Sequence, residues 1–315
     1  MLKKQFIKKI TITSAILFSF FLMCLMPNKK YNNEIKQKLE YVDKELNTQT
    51  IYLLDHNNYL AKTKVVINNK DIQLKAKELL NILIKDGEEE NKIPSGFKAI
   101  IPSNTEVLSL EYKDNMIKVN FNSNLLDVKK EYEEKIIEAI VYTLTSIDDV
   151  NKVIIYMDGN IVTKLPKSKK ILPSTLDKSY GINKEYDIKT YKDVKKVTMY
   201  YVNNYNDNNY YVPVTKYIND DKDKFDIIIE QLANSDNNLI SYLNSNTLLI
   251  DKKIEDKKAI LTFNEYIFDN QDERLVSEEV KNSIGLSILD NYDIDEVIFE
   301  YDTKQICKIN KKSIE

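Results

Sequence analysis

A short sequence pattern occurs twice in the chain, and the two occurrences lie 142 residues apart. The first begins at Ser103-Asn104-Thr105 and ends with the alternating segment Val119-Asn120-Phe121-Asn122. The second has Ser245-Asn246-Thr247 and Leu261-Thr262-Phe263-Asn264 at the same spacing, and a segment with helical periodicity follows each occurrence. Because both pieces keep one offset, the pattern predicts an internal repeat, and a repeat constrains the fold more than any local signal does.

Both copies of the repeat predict the same order of elements. The first copy begins with β-prone runs at 50–54 and 59–67, followed by a helix capped by Asp71 and the repeated strand pair. A second helix and a strand at 152–158 end the copy, and one face of that helix carries Tyr132, Ile136, Ile140 and Leu144. The second copy follows the same order from Val197 to Phe299. We therefore predict an α+β fold with two tandem copies of a small sheet, each carrying two helices on one face (ββαββαβ), after an N-terminal membrane anchor.

The repeat also predicts the domain boundaries. We assign 1–30 to a signal anchor or signal peptide, 31–48 to a helical stalk, 49–160 to the first domain, 161–195 to an inter-domain connector and 196–309 to the second domain. A connector of this length predicts that part of it packs along the domain junction. Pro213 lies inside a predicted strand of the second copy and predicts that this strand is at a sheet edge. Phe121 and Phe263 are predicted to be equivalent core residues.

The N-terminus predicts export. Lys3, Lys4, Lys8 and Lys9 precede an apolar run at 10–27, which is long enough for an export signal or a signal anchor. More lysines precede the run than follow it, so we expect an anchor in the cell membrane with the domains on the extracytoplasmic side.

Cys24 lies inside this run and is a candidate lipidation site. Lipid-bearing cysteines of bacterial lipoproteins usually follow small residues, whereas Phe21-Leu22-Met23 precede Cys24. An uncleaved signal anchor is therefore the preferred interpretation. The next segment has apolar residues at 35, 39, 42 and 46, which predicts a helix that either packs on the first domain or forms a short coiled-coil stalk.

Composition argues against nucleic-acid binding and against a catalytic centre. The formal charge is −3 with both signs mixed, and Arg274 is the only arginine, whereas a nucleic-acid binder should show a basic stripe. His56, the single histidine, lies in a predicted turn, and the only cysteines are Cys24 and Cys307. These residues predict neither a nucleophile–His–acid set nor a Cys-based zinc site. We predict no catalytic, cofactor-binding or metal-binding residue.

Two groups of residues remain as candidates. Asp158 and Asp302 occupy equivalent positions after the closing strands, where they are either a carboxylate pair acting on a glycan or turn-forming residues. Five tyrosines of the second copy form either a surface for sugars or partners or the alternating faces of a hairpin. These are Tyr200, Tyr201, Tyr205, Tyr210 and Tyr211.

With the repeat established, the chain resembles the GerMN domain family over about residues 49–309. In the first copy the resemblance rests on Ile93-Pro94-Ser95-Gly96, on Ile101-Pro102-Ser103-Asn104-Thr105, on the Val119-Asn120-Phe121 strand and on 153–159. The connector contributes Leu172-Pro173 and Gly181-Ile182-Asn183. The second copy lacks the two prolines of the first.

The resemblance implies a role in endospore formation. Family members lie between the mother-cell and forespore membranes, help to assemble or stabilise a transenvelope complex there, and have a domain similar to the ring-building folds of that machinery. We therefore expect a non-enzymatic extracytoplasmic protein whose partners are other sporulation envelope proteins. The alternative is a protein of spore cortex formation or germination that binds or hydrolyses peptidoglycan.

Overall fold

The computed structural model describes residues 47–235, 239–270 and 272–311. The predicted signal anchor, nearly all of the predicted stalk and Cys24 lie outside the described residues. In the part of the chain that is described, no helix has the length and apolarity needed to cross a membrane.

The element order of both copies agrees with the prediction and adds three strands, β3, β7 and β14. The first copy contains β1 (Thr48–Asp55), β2 (Leu60–Val66), α1 (Ile72–Leu83), β3 (Phe97–Lys98), β4 (Val107–Lys113), β5 (Met116–Phe121), α2 (Lys130–Leu144), β6 (Lys152–Met157) and β7 (Asn160–Ile161). The connector contains β8 (Glu185–Asp187). The second copy contains β9 (Val194–Tyr205), β10 (Asn208–Asn219), α3 (Lys224–Ala233), β11 (Leu249–Glu255), β12 (Lys258–Phe263), α4 (Glu278–Asn291), β13 (Glu296–Tyr301) and β14 (Lys304–Asn310).

Local sequence explains where these elements begin and turn. The Asp71 side chain accepts hydrogen bonds from the backbone N–H groups of Gln73 and Leu74, so it caps α1 as predicted. Two-residue turns join β4 to β5 at Asp114-Asn115 and β11 to β12 at Asp256-Lys257, and all four residues have positive φ. Asp and Asn tolerate this conformation better than most residues, which places tight hairpins at equivalent positions of the two copies.

Each copy forms its own four-stranded sheet, with the order β4-β5-β6-β7 in the first and β11-β12-β13-β14 in the second. The middle strands pair in parallel, β5 with β6 and β12 with β13, while the outer pairs are antiparallel. Phe121 on β5 and Phe263 on β12 are buried at equivalent positions, which confirms them as core residues.

The opening hairpins of the two copies share a third sheet, which the sequence did not predict. Its order is β3-β1-β2-β10, with β9 on the far side of β10 and the short β8 parallel to β10 on the side of β2. A single pair, Tyr211 and Lys62, joins β10 to β2. The connector therefore supplies a strand of the shared sheet, as expected for a segment that packs along the junction.

The prediction that Pro213 marks an edge strand is wrong, because β10 has neighbours on both sides. Pro213 lies between Tyr211, which pairs with β2, and the segment that pairs with β8 from Lys216 onwards. The missing N–H of the proline therefore falls where β10 has no strand partner on that side.

The hydrophobic core also crosses the boundary between the copies. Ala61, on β2 of the first copy, is fully buried within the core of the second copy, and Tyr59 and Phe97 pack against that core. Because the sheet and the core are both shared, the two copies form one structural unit.

Candidate functional site

The acidic pair selected by the repeat lies in turns. Asp158 and Asp302 have φ values of 47° and 49°, and each begins the tight turn after its closing strand, followed by Gly159 and Thr303 with positive φ. The turn-forming interpretation explains both residues. No group of three or more His, Cys, Asp or Glu residues in the described ranges could hold a metal ion. Cys307 is half-buried, and burial raises the pKa of its thiol to about 11.

Most of the tyrosine cluster belongs to the interior. Tyr200, Tyr201 and Tyr210 are buried, while Tyr205 and Tyr211 are half-buried. The Tyr210 hydroxyl donates a hydrogen bond of 3.0 Å to Asp55 on β1 and lies 3.2 Å from the His56 imidazole. Burial and the Asp55 carboxylate raise the pKa of Tyr210 well above its usual value. The alternation interpretation therefore fits these residues, and the Tyr210 hydroxyl connects the two opening hairpins.

The connector motif Gly181-Ile182-Asn183 binds the two copies together. The buried Asn183 amide donates hydrogen bonds of 2.8 Å to the carbonyl groups of Leu60 on β2 and Pro213 on β10, and its carbonyl accepts one of 3.0 Å from the Leu60 N–H. Asn183 thus fills the gap beside Pro213 with side-chain hydrogen bonds. We call this residue the junction clamp.

The rest of the motif positions the clamp. Ile182 is fully buried and exchanges hydrogen bonds with Thr215 on β10. Gly181 has a φ of 84°, and a Cβ at this position would lie 3.0 Å from the Thr215 side chain. A left-handed backbone in close contact with a neighbouring strand is a requirement that glycine meets most readily.

An ion-pair network extends from the clamp along α2. The Asn183 N–H donates to the Glu138 carboxylate at 2.9 Å, and Lys184 contacts both Glu138 (3.4 Å) and Glu134 (2.8 Å). Lys170 forms a further ion pair with Glu134. Burial raises the pKa of Glu138 to about 7. Burial also acts to raise the pKa of Glu134, but hydrogen bonds from Lys170 and Lys184 outweigh it and lower that pKa.

Opposite pKa shifts on neighbouring carboxylates occur in acid–base catalysis. Here Glu138 is only 2% exposed, and both carboxylates are held by Lys184. A carboxylate that substrate cannot reach does not serve as its acid or base. The network therefore acts as a structural link between α2, the connector and the shared sheet.

The edge strands β4 and β11 form the candidate interaction surface. Both contain a β-bulge at the same place in the repeat, between Val107 and Ser109 in β4 and between Leu249 and Asp251 in β11. The extra residues are Leu108 and Ile250, which are 51% and 62% exposed. Bulges commonly redirect a side chain at a sheet edge, and here both place an apolar side chain in solvent.

Sequence reasoning missed this surface because an apolar residue in a strand usually indicates the core. A signal was nevertheless present, since Leu248, Leu249 and Ile250 break the alternation of their strand. Leu108 and Ile250 also occupy equivalent places in the repeat. A matched pair of residues that breaks the pattern in both copies indicates a shared bulge.

Comparisons with known proteins agree with this architecture. Residues 50–163 match the Germane family, described as "Sporulation and spore germination". The chain is 31% identical over 255 residues to the spore germination protein GerM of Bacillus subtilis (strain 168), a match that covers 78% of this chain and 69% of that protein. The solved tandem GerMN domains of the sporulation protein GerM from Bacillus subtilis superpose with a TM-score of 0.75 at 28% identity, covering 82% of this chain and 91% of that structure. These matches confirm the tandem α+β fold.

Proposed function

Since this chain belongs to the Germane family of sporulation and spore germination proteins and has tandem GerMN domains, we propose that it is a non-enzymatic structural protein of spore formation. In this proposal it helps to assemble or stabilise a complex that crosses the spore envelope, and its partners are other envelope proteins of sporulation. The N-terminal segment anchors it in the cell membrane, with both domains on the extracytoplasmic side.

One observation carries this proposal: a single structural unit presents two equivalent bulged edge strands. Within the described residues, β4 pairs only with β5 and β11 pairs only with β12, so each strand has an open edge. An open edge can bind a strand of another protein through main-chain hydrogen bonds. Because the junction clamp holds the copies together, the two edges are presented as a fixed pair, as suits an assembly component.

Photocrosslinking in spore-forming cells tests the proposal. A photoreactive amino acid would replace Leu108 in one variant and Ile250 in another. A matched control would carry it at Leu74, which is 54% exposed but lies on α1. We expect crosslinks to envelope proteins from at least one edge and few from Leu74. Equal crosslinking from all three positions, or none from either edge, would contradict the proposal.

A second candidate function is peptidoglycan binding, and one surface feature favours it. The rings of Tyr186 and Tyr217 stack with centroids 4.9 Å apart and an angle of 11° between their planes. They line a groove of about 510 Å³ together with Glu134 and Lys170, and Tyr186 is 58% exposed. An exposed aromatic ring beside charged side chains offers both apolar contact and hydrogen bonds to a sugar.

Sedimentation with cell-wall sacculi separates the two candidates. If the groove binds peptidoglycan, the purified protein should pellet with sacculi and the Tyr186→Ala variant should remain in solution. Release of muropeptides would show that a purely structural role is incomplete. If the protein neither pellets with sacculi nor releases muropeptides, the peptidoglycan candidate is eliminated.

The anchor requires its own test. We propose that the N-terminal segment remains attached as an uncleaved signal anchor, and lipidation of Cys24 is the alternative form of attachment. Metabolic lipid labelling of the intact chain and of its Cys24→Ser variant distinguishes the two forms of attachment. Labelling that disappears in Cys24→Ser would show that the chain has a lipid anchor and not a signal anchor. An unlabelled chain that stays in the membrane supports the signal anchor.

A further inference from the structure

The outer edge of β11 is open and exposes both apolar and charged side chains. Ile250 and Ile254 are 62% and 47% exposed, and Asp251 and Lys253 are also exposed. Within the part of the chain that is described, β12 is the only strand that pairs with β11. Soluble proteins usually protect such a strand, because its free backbone groups can pair with another chain.

The hairpin register shows which backbone groups face this edge. Glu255 and Lys258 flank a two-residue turn, so they form a hydrogen-bonded pair, and the alternation of an antiparallel ladder directs the backbone groups of Lys252 and Ile254 away from β12. A further contact agrees with this assignment: the Lys252 N–H donates to its neighbouring Asp251 carboxylate at 2.9 Å.

We infer that β11 pairs with β11 of a second copy of this chain, antiparallel and with the two-fold axis at Lys252. This inference rests on the proposed function, in which the edge strands are interaction surfaces, and it names the partner of one of them. The pairing would join two four-stranded sheets into one continuous sheet.

The side chains of β11 are self-complementary in this register. Asp251 lies opposite Lys253 of the second copy, and Lys253 lies opposite its Asp251, so two pairs of opposite charges form. Opposite charges on facing residues stabilise antiparallel strands. In the single chain the Asp251 carboxylate accepts a hydrogen bond from the Lys252 N–H. In the pair, a carbonyl group of the second copy accepts this hydrogen bond instead, so Asp251 becomes available to Lys253.

Lys252 lies on the two-fold axis and therefore faces Lys252 of the second copy. The charge of each lysine is already compensated within its own chain. Lys252 forms ion pairs with Asp223 and with Asp226 on α3. Two lysines that each carry two carboxylate partners can approach each other without the repulsion of bare charges.

The equivalent strand of the first copy lacks this complementarity. With an axis at Leu110, Leu108 would face Tyr112 and Ser109 would face Glu111, so no opposite charges meet. Tyr112 also packs against the first core, and its hydroxyl donates to the Asp149 carbonyl at 3.2 Å. We therefore assign self-pairing to β11 alone.

A disulfide on the predicted axis tests the inference. Hydrogen-bonded residues that face each other across antiparallel strands have Cα atoms about 5.5 Å apart, a distance that a disulfide spans. The full-length chain would carry Lys252→Cys together with Cys24→Ser and Cys307→Ser, and it would be oxidised in membranes of a host that does not form spores. The matched control would carry Leu110→Cys on β4. We expect a covalent dimer for the β11 variant, with about tenfold less for the control.

Charge reversal supplies the second arm. Adding Asp251→Lys should lower the dimer yield about tenfold, because lysines then face each other twice, and adding Lys253→Asp to that variant should restore it. Sedimentation of the unsubstituted chain in detergent should give the mass of two chains, whether or not the cysteine variant folds.

A single-chain mass, equal yields from β4 and β11, or a charge swap that fails to restore the dimer would overturn the inference. A crosslinked band of another mass in place of the dimer would assign the edge to a different protein and overturn it as well. The host lacks sporulation proteins, so none of these results bears on the proposed function, which the crosslinks in spore-forming cells test separately.

Discussion

The two copies of the repeat share one scaffold but close it differently. The first ends in β7, a strand of two residues, whereas the second ends in β14, a strand of seven. The longer strand packs against α4, where Ile309 lies over Gly285. The equivalent residue of α2 is the fully buried Val141. A glycine in a helix usually destabilises it, so its presence here shows that helix and strand were matched to each other within one copy.

The comparison also shows what the repeat preserves. The side chain of Thr143 on α2 accepts a hydrogen bond from the Tyr52 N–H of β1, and Ser287 on α4 accepts one from the Tyr200 N–H of β9. In both copies a helix hydroxyl therefore covers the outer edge of the opening hairpin. The shared sheet is closed at these positions by side chains, while the edges at β4 and β11 stay open.

The largest expected effect comes from the equivalent phenylalanines. Phe121→Ala and Phe263→Ala should each cost about 3–5 kcal/mol of unfolding free energy, because each leaves a cavity in a packed core. Since the copies share a sheet, calorimetry should show one transition that either substitution lowers. Leu74→Ala, at an exposed helix position, is the control and should cost less than about 0.5 kcal/mol. Two transitions, only one of which moves, would show that the copies unfold independently.

Loss of the junction clamp, Asn183, should have the next largest effect on stability. Asn183→Ala leaves the buried N–H and carbonyl of Leu60 and the carbonyl of Pro213 without this partner, at about 1–3 kcal/mol for each group that stays unsatisfied. We expect a total loss of about 2–4 kcal/mol in urea unfolding. Asn160→Ala, at an exposed position of the short strand β7, serves as the matched control. A clamp variant as stable as this control would mean that other contacts hold the copies together.

A smaller loss of stability is expected from a substitution at Gly285, where α4 packs against the closing strand β14. A Cβ on Gly285 would lie 2.5 Å from Cγ2 of Ile309, so Gly285→Ala should cost about 1–3 kcal/mol through overpacking. Adding Ile309→Ala makes room for the new methyl group, and the double variant should be less destabilised than the sum of the single variants. Strict additivity in a double-mutant cycle would show that α4 and β14 do not constrain each other.

The smallest effect concerns pH. Glu138 has a pKa of about 7 in the folded chain, against an ordinary value of 4.5, because burial disfavours its charge. The folded state therefore holds this proton more tightly, and the contribution of Glu138 to stability is greatest at low pH and falls as pH rises through that interval. Between pH 4.5 and pH 7, the free energy of unfolding of Glu138→Gln should therefore rise by about 1–2 kcal/mol relative to that of the parent.

Chemical denaturation at several pH values measures this difference. Glu134→Gln is the matched control one turn away, and its trend should run the other way because its ion pairs lower the pKa of Glu134. A stability difference between parent and Glu138→Gln that does not change with pH would show that Glu138 is not held in a buried, charge-disfavouring site.

Much of the fold could be predicted because its signals are local or periodic. The repeat offset identified the copies, the Asp71 cap and the helical stripes placed helices, and strand alternation identified Phe121 and Phe263 as core residues. The candidate site was less accessible to prediction. The connector motif carrying Asn183 resembles a family segment, but no local pattern in it indicates a structural role. Leu108 and Ile250 are apolar residues in strands, and such residues usually belong to the core.

The sequence by itself determined the tandem α+β architecture, the equivalent cores and the absence of a recognisable catalytic motif, because periodicity and turn chemistry act within short stretches of chain. Only the tertiary structure decided that the opening hairpins share one sheet, that Pro213 lies inside it beside Asn183, and that bulges in the edge strands β4 and β11 place Leu108 and Ile250 in solvent. These features depend on pairing between segments far apart in the chain, and no local pattern specifies which strands meet or which edge remains open.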